Sequence, residues 1–339
     1  MLVLHRHWRD QSMQIKRERL RKTLDAPSWR DCLRTAREHA EIMEFEASVS
    51  ICLDYLHNYL VPPTRPRNTA NSFPNLKIFF ACGGNSSRWN NFLALPKQMV
   101  DTGDGIPLIQ RTINQFSSTF SGADFYLIAR QDDSHFSSIE GVEIINRRDS
   151  IDRPVLREVL EYADKYFACQ NDILWIYGDV YFSDGAIQKI KDHISCHNED
   201  FALFGRKKIN SRFGNSGGEA FAVYSPHSSR ALLLEYYRFL ERLYIGTPLH
   251  KYCTWELISL ISALKKDDSS ALPYPALIGG KTSFTYQELA QIRHSKEFHS
   301  RHWIEIDDET EDFDFPCEYI ERIFRHVEWV GTALEQFSI

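Results

Sequence analysis

The chain has 339 residues, of which 43% are hydrophobic and 25% charged, with a formal net charge of −6. That length can bury a sizeable core without cross-links. The acidic balance argues against a nucleic-acid coat protein or a basic membrane-surface binder, so neither nucleic acid nor membrane is an expected partner. Seven cysteines are scattered without a CxxC pair, which fits reduced thiols rather than a disulfide framework or a zinc knuckle. No run reaches the roughly 18 apolar residues of a membrane span. The Arg-rich start lacks the apolar stretch of a secretory leader, so the expected location is cytoplasmic.

Residues 1–61 read as a helical region. Ser28, followed by Asp31, is a plausible helix start. Apolar residues then recur at helical spacing at Trp29, Leu33, Ala36, Ala40, Met43, Ile51 and Tyr55. Val61-Pro62-Pro63 stops that run, and residues 62–75 carry four prolines among polar residues, which marks a linker. From 76 to 339 strands alternate with helices. Strands are expected over 78–81, 125–129, 142–145, 173–177, 221–224 and 303–306. Helices are expected over 107–116, 155–166, 231–243, 257–264 and from Pro316 onward. Such alternation predicts an α/β fold with a mostly parallel, Rossmann-like sheet and an N-terminal helical extension.

Three segments carry chemistry. The first follows strand 78–81: Cys82-Gly83-Gly84-Asn85-Ser86-Ser87-Arg88, then Pro96-Lys97, then Gly105-Ile106-Pro107-Leu108-Ile109. Small residues after a strand let backbone amides approach a triphosphate, and following cations neutralise it. Arg88 can grip phosphate oxygens in a bidentate manner, and Lys97 supplies a compact charge. No Gly-Lys-Ser/Thr follows, so this is not a Walker loop. The second segment is Gly178-Asp179 after strand 173–177, a carboxylate at the sheet edge where open α/β folds bind ligands. The third is Trp303-Ile304-Glu305-Ile306-Asp307-Asp308-Glu309-Thr310-Glu311-Asp312, where Glu305 and Asp307 share one side of a strand.

Together these segments resemble the sugar-phosphate and phosphocholine nucleotidyltransferases, within the broader MobA-like NTP transferase group. Those proteins show a Gly-rich loop ending in Arg, a Pro-Lys pair, a Gly-x-Pro-Leu-Ile step, a Gly-Asp after a strand and an acidic Trp-x-Glu-Ile-Asp segment. The likeness spans roughly residues 76–330. Cys82-Gly83 stands in place of paired alanines, Ser86 in place of the second glycine and Asp308 in place of a threonine.

The resemblance implies a GT-A-like nucleotidyltransferase fold and Mg²⁺-dependent transfer of NMP from an NTP, with CTP or UTP favoured. The acceptor would be a small phosphorylated compound such as a sugar phosphate or a phosphocholine-like molecule, and pyrophosphate would be released. It implies nucleotide binding by Cys82, Gly83, Gly84, Asn85, Ser86, Arg88, Lys97, Arg130 and Arg153, and catalysis by Arg88, Lys97 and Asp179. It also implies metal binding by Asp179 and Asp307 and acceptor binding by Glu219, Lys208 and Glu305. The N-terminal helices are an expected route to a homo-oligomer. The alternatives are a nucleotide-sugar-dependent glycosyltransferase, against which Asp179-Val180-Tyr181 lacks an Asp-x-Asp, and a non-catalytic nucleotide-binding scaffold.

Overall fold

The structure is a computed structural model, and it describes residues 28–59, 72–82, 89–130, 134–147, 160, 170–196, 200–206, 219–244, 257 and 302–337. The chain forms two compact units. One is drawn from Met1–Arg65, Asn85–Arg111 and Phe313–Ile339, the other from Pro66–Gly84 and Thr112–Asp312.

Among the described residues, the first unit is built around three helices, α1 (Trp29–Glu41), α2 (Phe45–Tyr59) and a C-terminal helix, Pro316–Phe337. Ser28 starts α1 as the sequence predicts. Its hydroxyl oxygen accepts from the Asp31 amide at 3.2 Å, satisfying a donor that the first turn leaves open. That hydroxyl's bond to the Asp31 carboxylate, together with Arg34, holds the carboxyl below its usual range. Helical spacing puts Cys32, Leu33 and Ala36 on the buried face. The continuous helical pattern breaks where the sequence reading ran on. Met43 takes a left-handed φ of 62°, and the chain turns back into α2. The C-terminal helix packs against both N-terminal ones, burying Tyr319, Ile320, Ile323, Val327 and Val330. Gly331 is what admits Trp29, since a Cβ at 331 would sit 2.1 Å from the indole.

The second unit is the α/β body. It contains β1 (Leu76–Ala81), β2 (Asp124–Arg130), β3 (Glu143–Arg147), β4 (Asp172–Tyr177), β5 (Val180–Tyr181), β6 (Ala202–Arg206), β7 (Glu219–Ser225), β8 (Trp303–Glu305) and β9 (Glu311–Asp312). Seven of these form one sheet in the order β3-β2-β1-β4-β7-β6-β8, and β5 pairs with β9 separately. Only β7 runs against its neighbours in the large sheet, so the sheet is mostly parallel, as the alternation predicts. The central strands β1 and β4 are apolar except at Lys77, whose ammonium pairs with Asp124 at 2.8 Å, and at Asp172, because both faces are covered. Phe79 and Trp175 point to one face, where Leu233, Leu234 and Tyr237 of helix His227–Tyr244 join them. Phe80 points to the other, against Phe116 of helix Leu108–Thr119, which in turn meets Phe120 and Phe182.

The sequence reading passes over β5, β6, β9 and the helix Asp184–Ser195. Two of those strands are only two residues long, and β6 interrupts its apolar run with Gly205. The helices expected over 155–166 and 257–264 lie outside the described residues, save Leu160 and Leu257, both buried. Among the described residues, no helix is long and apolar enough to cross a membrane.

Gly205 sits at a register shift between β6 and β7, and a Cβ there would lie 2.1 Å from the Glu219 carbonyl oxygen and 2.5 Å from the Trp303 ring. Backbone cannot move aside cheaply, so Gly205→Ala should cost about 2 kcal/mol. A thermal melt should then show the midpoint falling by roughly 4–8 °C. A Gly205→Ala protein melting with the wild type would mean that this strand junction is not closely packed.

Candidate functional site

Strand direction gathers the chemistry on one edge. β1, β2, β4, β6 and β8 run the same way, so Cys82, Arg130, Asp179, Arg206 and Glu305 stand at or just past their carboxyl ends. β7 runs oppositely and therefore begins at this edge, which pairs Glu219 with Arg206 in the register. Open α/β sheets bind ligands along such an edge.

The Gly178-Asp179 step has a steric origin. The Gly178 amide donates to the Ala81 carbonyl oxygen at 3.1 Å, extending the β1–β4 pairing past the last strand residue. A Cβ on Gly178 would come within 2.6 Å of the Cys82 sulfur and 2.8 Å of that same carbonyl oxygen. Only glycine lets the two strand ends stay this close. Cys82 is buried, and its amide donates to the Ile128 carbonyl oxygen at 2.9 Å. Directly after Gly178, Asp179 leaves the sheet into β5.

β5 pairs with β9, matching Val180 to Asp312 and Tyr181 to Glu311. This pairing brings carboxylate oxygens of Asp179 and Asp312, both half-buried, within 4.8 Å of each other. Among the described residues of this unit, Asp312 is the carboxylate grouped with Asp179 at metal-ligand spacing. Asp307 is exposed and outside that group. Two oxygen-donor carboxylates so placed repel unless a cation lies between them, and hard divalent ions such as Mg²⁺ prefer this donor set. In the sequence Asp312 is one acid among several in the acidic run, with nothing local to single it out. The missing information was the two-residue strand pairing, which no local pattern announces.

The acidic run itself is tied down rather than loose. Ser183 accepts the Ala186 amide at 2.9 Å to start the helix Asp184–Ser195, and its hydroxyl donates to the Asp308 carboxylate at 2.5 Å. The Thr310 hydroxyl accepts the Ser183 amide at 3.1 Å, and the Thr310 amide donates to Asp308 at 2.7 Å. Asp308 thus fastens the run beside β5. Glu305 is half-buried, its carboxylate accepting from the Trp303 indole at 2.6 Å.

Glu219 is nearly enclosed. Its carboxylate meets the Arg206 guanidinium at 2.6 Å, with the two side chains 6% and 17% exposed. Arg206 also donates to the carbonyl oxygens of Asp308 and Thr310, at 3.1 and 2.8 Å, and lies over the Phe221 ring. Arg206 therefore joins the β6–β7 edge to the acidic run, and Glu219 completes its charge.

In the helical unit, Lys97 opens a short 3-10 turn, Lys97–Met99, and is buried with only 8% exposure. Its ammonium lies 3.2 Å from the Asp314 carboxylate, which precedes the C-terminal helix. Of the other expected site residues, Gly83, Gly84, Asn85, Ser86, Arg88, Arg153 and Lys208 lie outside the described residues. Arg130 is described only as the last residue of β2.

No family model matches this chain, and no curated protein matches it by sequence. In structure it is similar to nucleotidyltransferases. A UDP-glucose pyrophosphorylase solved with UDP-glucose is 10% identical, the match covering 75% of this chain and 98% of that one at a TM-score of 0.41. A glucose-1-phosphate thymidylyltransferase from Bacillus anthracis is 12% identical over 74% and 95%, at a TM-score of 0.41. The CTP:phosphocholine cytidylyltransferase of Streptococcus pneumoniae is 11% identical over 73% and 97%, at a TM-score of 0.41.

The Arg206–Glu219 pair lends itself to a double-mutant cycle. Arg206→Met strands a buried carboxylate and should cost about 3 kcal/mol in urea unfolding. Adding Glu219→Leu should recover at least half of that loss, because the unpaired charge is gone. Additive losses would show that the pair is not coupled.

Proposed function

We propose that this chain is a Mg²⁺-dependent nucleotidyltransferase that moves NMP from an NTP, CTP or UTP by preference, onto a small phosphorylated acceptor. The observation carrying this reading is the convergence of Asp179 and Asp312 at the carboxyl edge of a mostly parallel sheet. The sequence motifs from Cys82 to Ile109 support it, since their residue types and succession match what a triphosphate requires of its binding loop.

The acceptor phosphate is already ionised near neutral pH, so the reaction needs no strong base. An acceptor oxygen attacks the α-phosphorus of the NTP, an oxygen–phosphorus bond forms, and the bond from that phosphorus to the bridging oxygen breaks. Pyrophosphate leaves with that electron pair. Catalysis then consists of positioning and charge neutralisation. Asp179 and Asp312 would hold the metal, which when bound supplies positive charge to the phosphate oxygens. The resemblance assigns Arg88 and Lys97 to the triphosphate. It assigns Glu219, Glu305 and Lys208 to the acceptor. Glu219 is engaged by Arg206, so its role there is to fix the guanidinium in place as much as to meet the acceptor.

The resemblance names Asp307 as the second metal ligand, whereas the geometry favours Asp312. Pyrophosphate release, measured with four NTPs against a panel of phosphomonoesters in Mg²⁺, tests the reading as a whole. Asp179→Asn and Asp312→Asn should each lose about a hundredfold or more in kcat while melting like the wild type. Asp307→Asn should keep most of its activity. The reverse ranking of Asp307 and Asp312 would return the ligand to Asp307. No pyrophosphate from any NTP would end the proposal.

A further inference from the structure

The loop after Lys97, Asp101-Thr102-Gly103-Asp104-Gly105, is gripped from two helices of its own unit. Asp101 is its hub. One carboxylate oxygen accepts the amides of Gly103 and Gly105 at 2.7 and 3.0 Å, and the other lies 2.7 Å from the Nε2 atom of His57 on α2. The carbonyl oxygen of Asp101 accepts the Tyr319 hydroxyl at 2.6 Å, and that of Thr102 meets the His326 Nδ1 atom at 2.9 Å, both from the C-terminal helix. Leu56 of α2 lies so close that a Cβ on Gly103, at a φ of +109°, would be 2.5 Å from its methyl group.

Two glycines at positive φ, Gly103 and Gly105, give this loop wide freedom in isolation. The grip removes that freedom, and the loop is short. The Leu108 amide donates to the Val100 carbonyl oxygen at 2.8 Å, and Asp101 bridges to Pro107. On the other side, the Met99 amide donates to the Pro96 carbonyl oxygen at 2.8 Å and closes the turn that carries Lys97. Fixing Asp101 therefore fixes the C-terminal anchor of the Lys97 turn, four residues away. α2 lies outside the part of the chain that carries the motif resemblance, so its share of this grip comes from the N-terminal region.

We propose that α2, acting through the His57–Asp101 contact, is a positioning element for the Lys97 segment and sets the enzyme's affinity for nucleoside triphosphate. The inference rests on the nucleotidyl-transfer reading, in which Lys97 binds the triphosphate. His57 is a positioning residue. It holds the loop and touches no reacting atom.

The experiment compares full-length wild type, His57→Ala and His57→Gln, with MgCTP and MgUTP as probes. KM and kcat come from pyrophosphate release, and amide hydrogen exchange is followed over residues 97–107. His57→Ala should raise KM about tenfold, the loss of one charge-assisted hydrogen bond, with kcat little changed. It should also speed exchange at Gly103 and Gly105. His57→Gln, whose amide can still donate to Asp101, should restore both. If His57→Ala does not fold, His57→Asn replaces it, being polar but too short to reach Asp101. A lower melting temperature with unchanged KM and unchanged exchange would overturn the inference and leave His57 a purely structural residue. A wild type inactive with every NTP would overturn the nucleotidyl-transfer reading instead, and exchange would still decide whether His57 holds the loop.

Discussion

The close parallel pairing of β1 with β4 is the constraint on which the α/β unit depends. Its register runs from Leu76 opposite Asp172 to Ala81 opposite Tyr177, and the Gly178 amide carries it one bond further. Both strands are mostly apolar because helices cover both faces, and burying apolar surface of this kind favours folding. The pair's consequence is local and chemical. Where the two strands end, no side chain fits at 178, so the next residue is the first that can present a functional group. Asp179 is that residue.

The edge it joins is polar for a related reason. Strands that run together end together, and their last backbone groups need partners other than the next ladder bond. In the segments just beyond the strands, Thr310 takes the Ser183 amide, Arg206 donates to the Asp308 and Thr310 carbonyl oxygens, and Ser183 ties the Asp308 side chain to the start of the helix Asp184–Ser195. The same bonds that complete the backbone also fix β9 against β5, which brings Asp312 to Asp179. Local structural need and the geometry of the carboxylate pair thus share one set of side chains.

The helical unit works by a different economy of contacts. Its helices bury ordinary apolar faces, but Asp101 draws polar contacts from His57 and Tyr319 onto one loop. Burial and the nearby Asp101 push the Tyr319 hydroxyl's pKa well above its ordinary range, so it remains a donor to the loop's carbonyl oxygen throughout the neutral range. Lys97 is similarly constrained by Asp314, a residue at the far end of the chain from the N-terminal helices. N-terminal and C-terminal segments are integral to the unit that carries Lys97.

Much of this was written in the sequence. Continuous apolar runs announced β1 and β4, because a strand covered on both faces is mostly apolar, and the strands expected over 125–129, 142–145, 221–224 and 303–306 match β2, β3, β7 and β8. Ser28 announced α1, because an open helix amide needs a nearby oxygen. Lys97 stood out because a cation suits an anionic ligand, and Gly178-Asp179 because a carboxylate just past a strand end suits a hard cation. The sequence did not name Asp312, Arg206 or His57 as partners. Each acts through a residue at least 13 positions away in the chain, Glu219 in the case of Arg206, 44 positions in the case of His57 and Asp101. Local patterning records which face of an element is buried, but not which distant carboxylate or imidazole will meet it. That choice is made when strand pairing and helix packing fix the distances, and only the tertiary structure makes it.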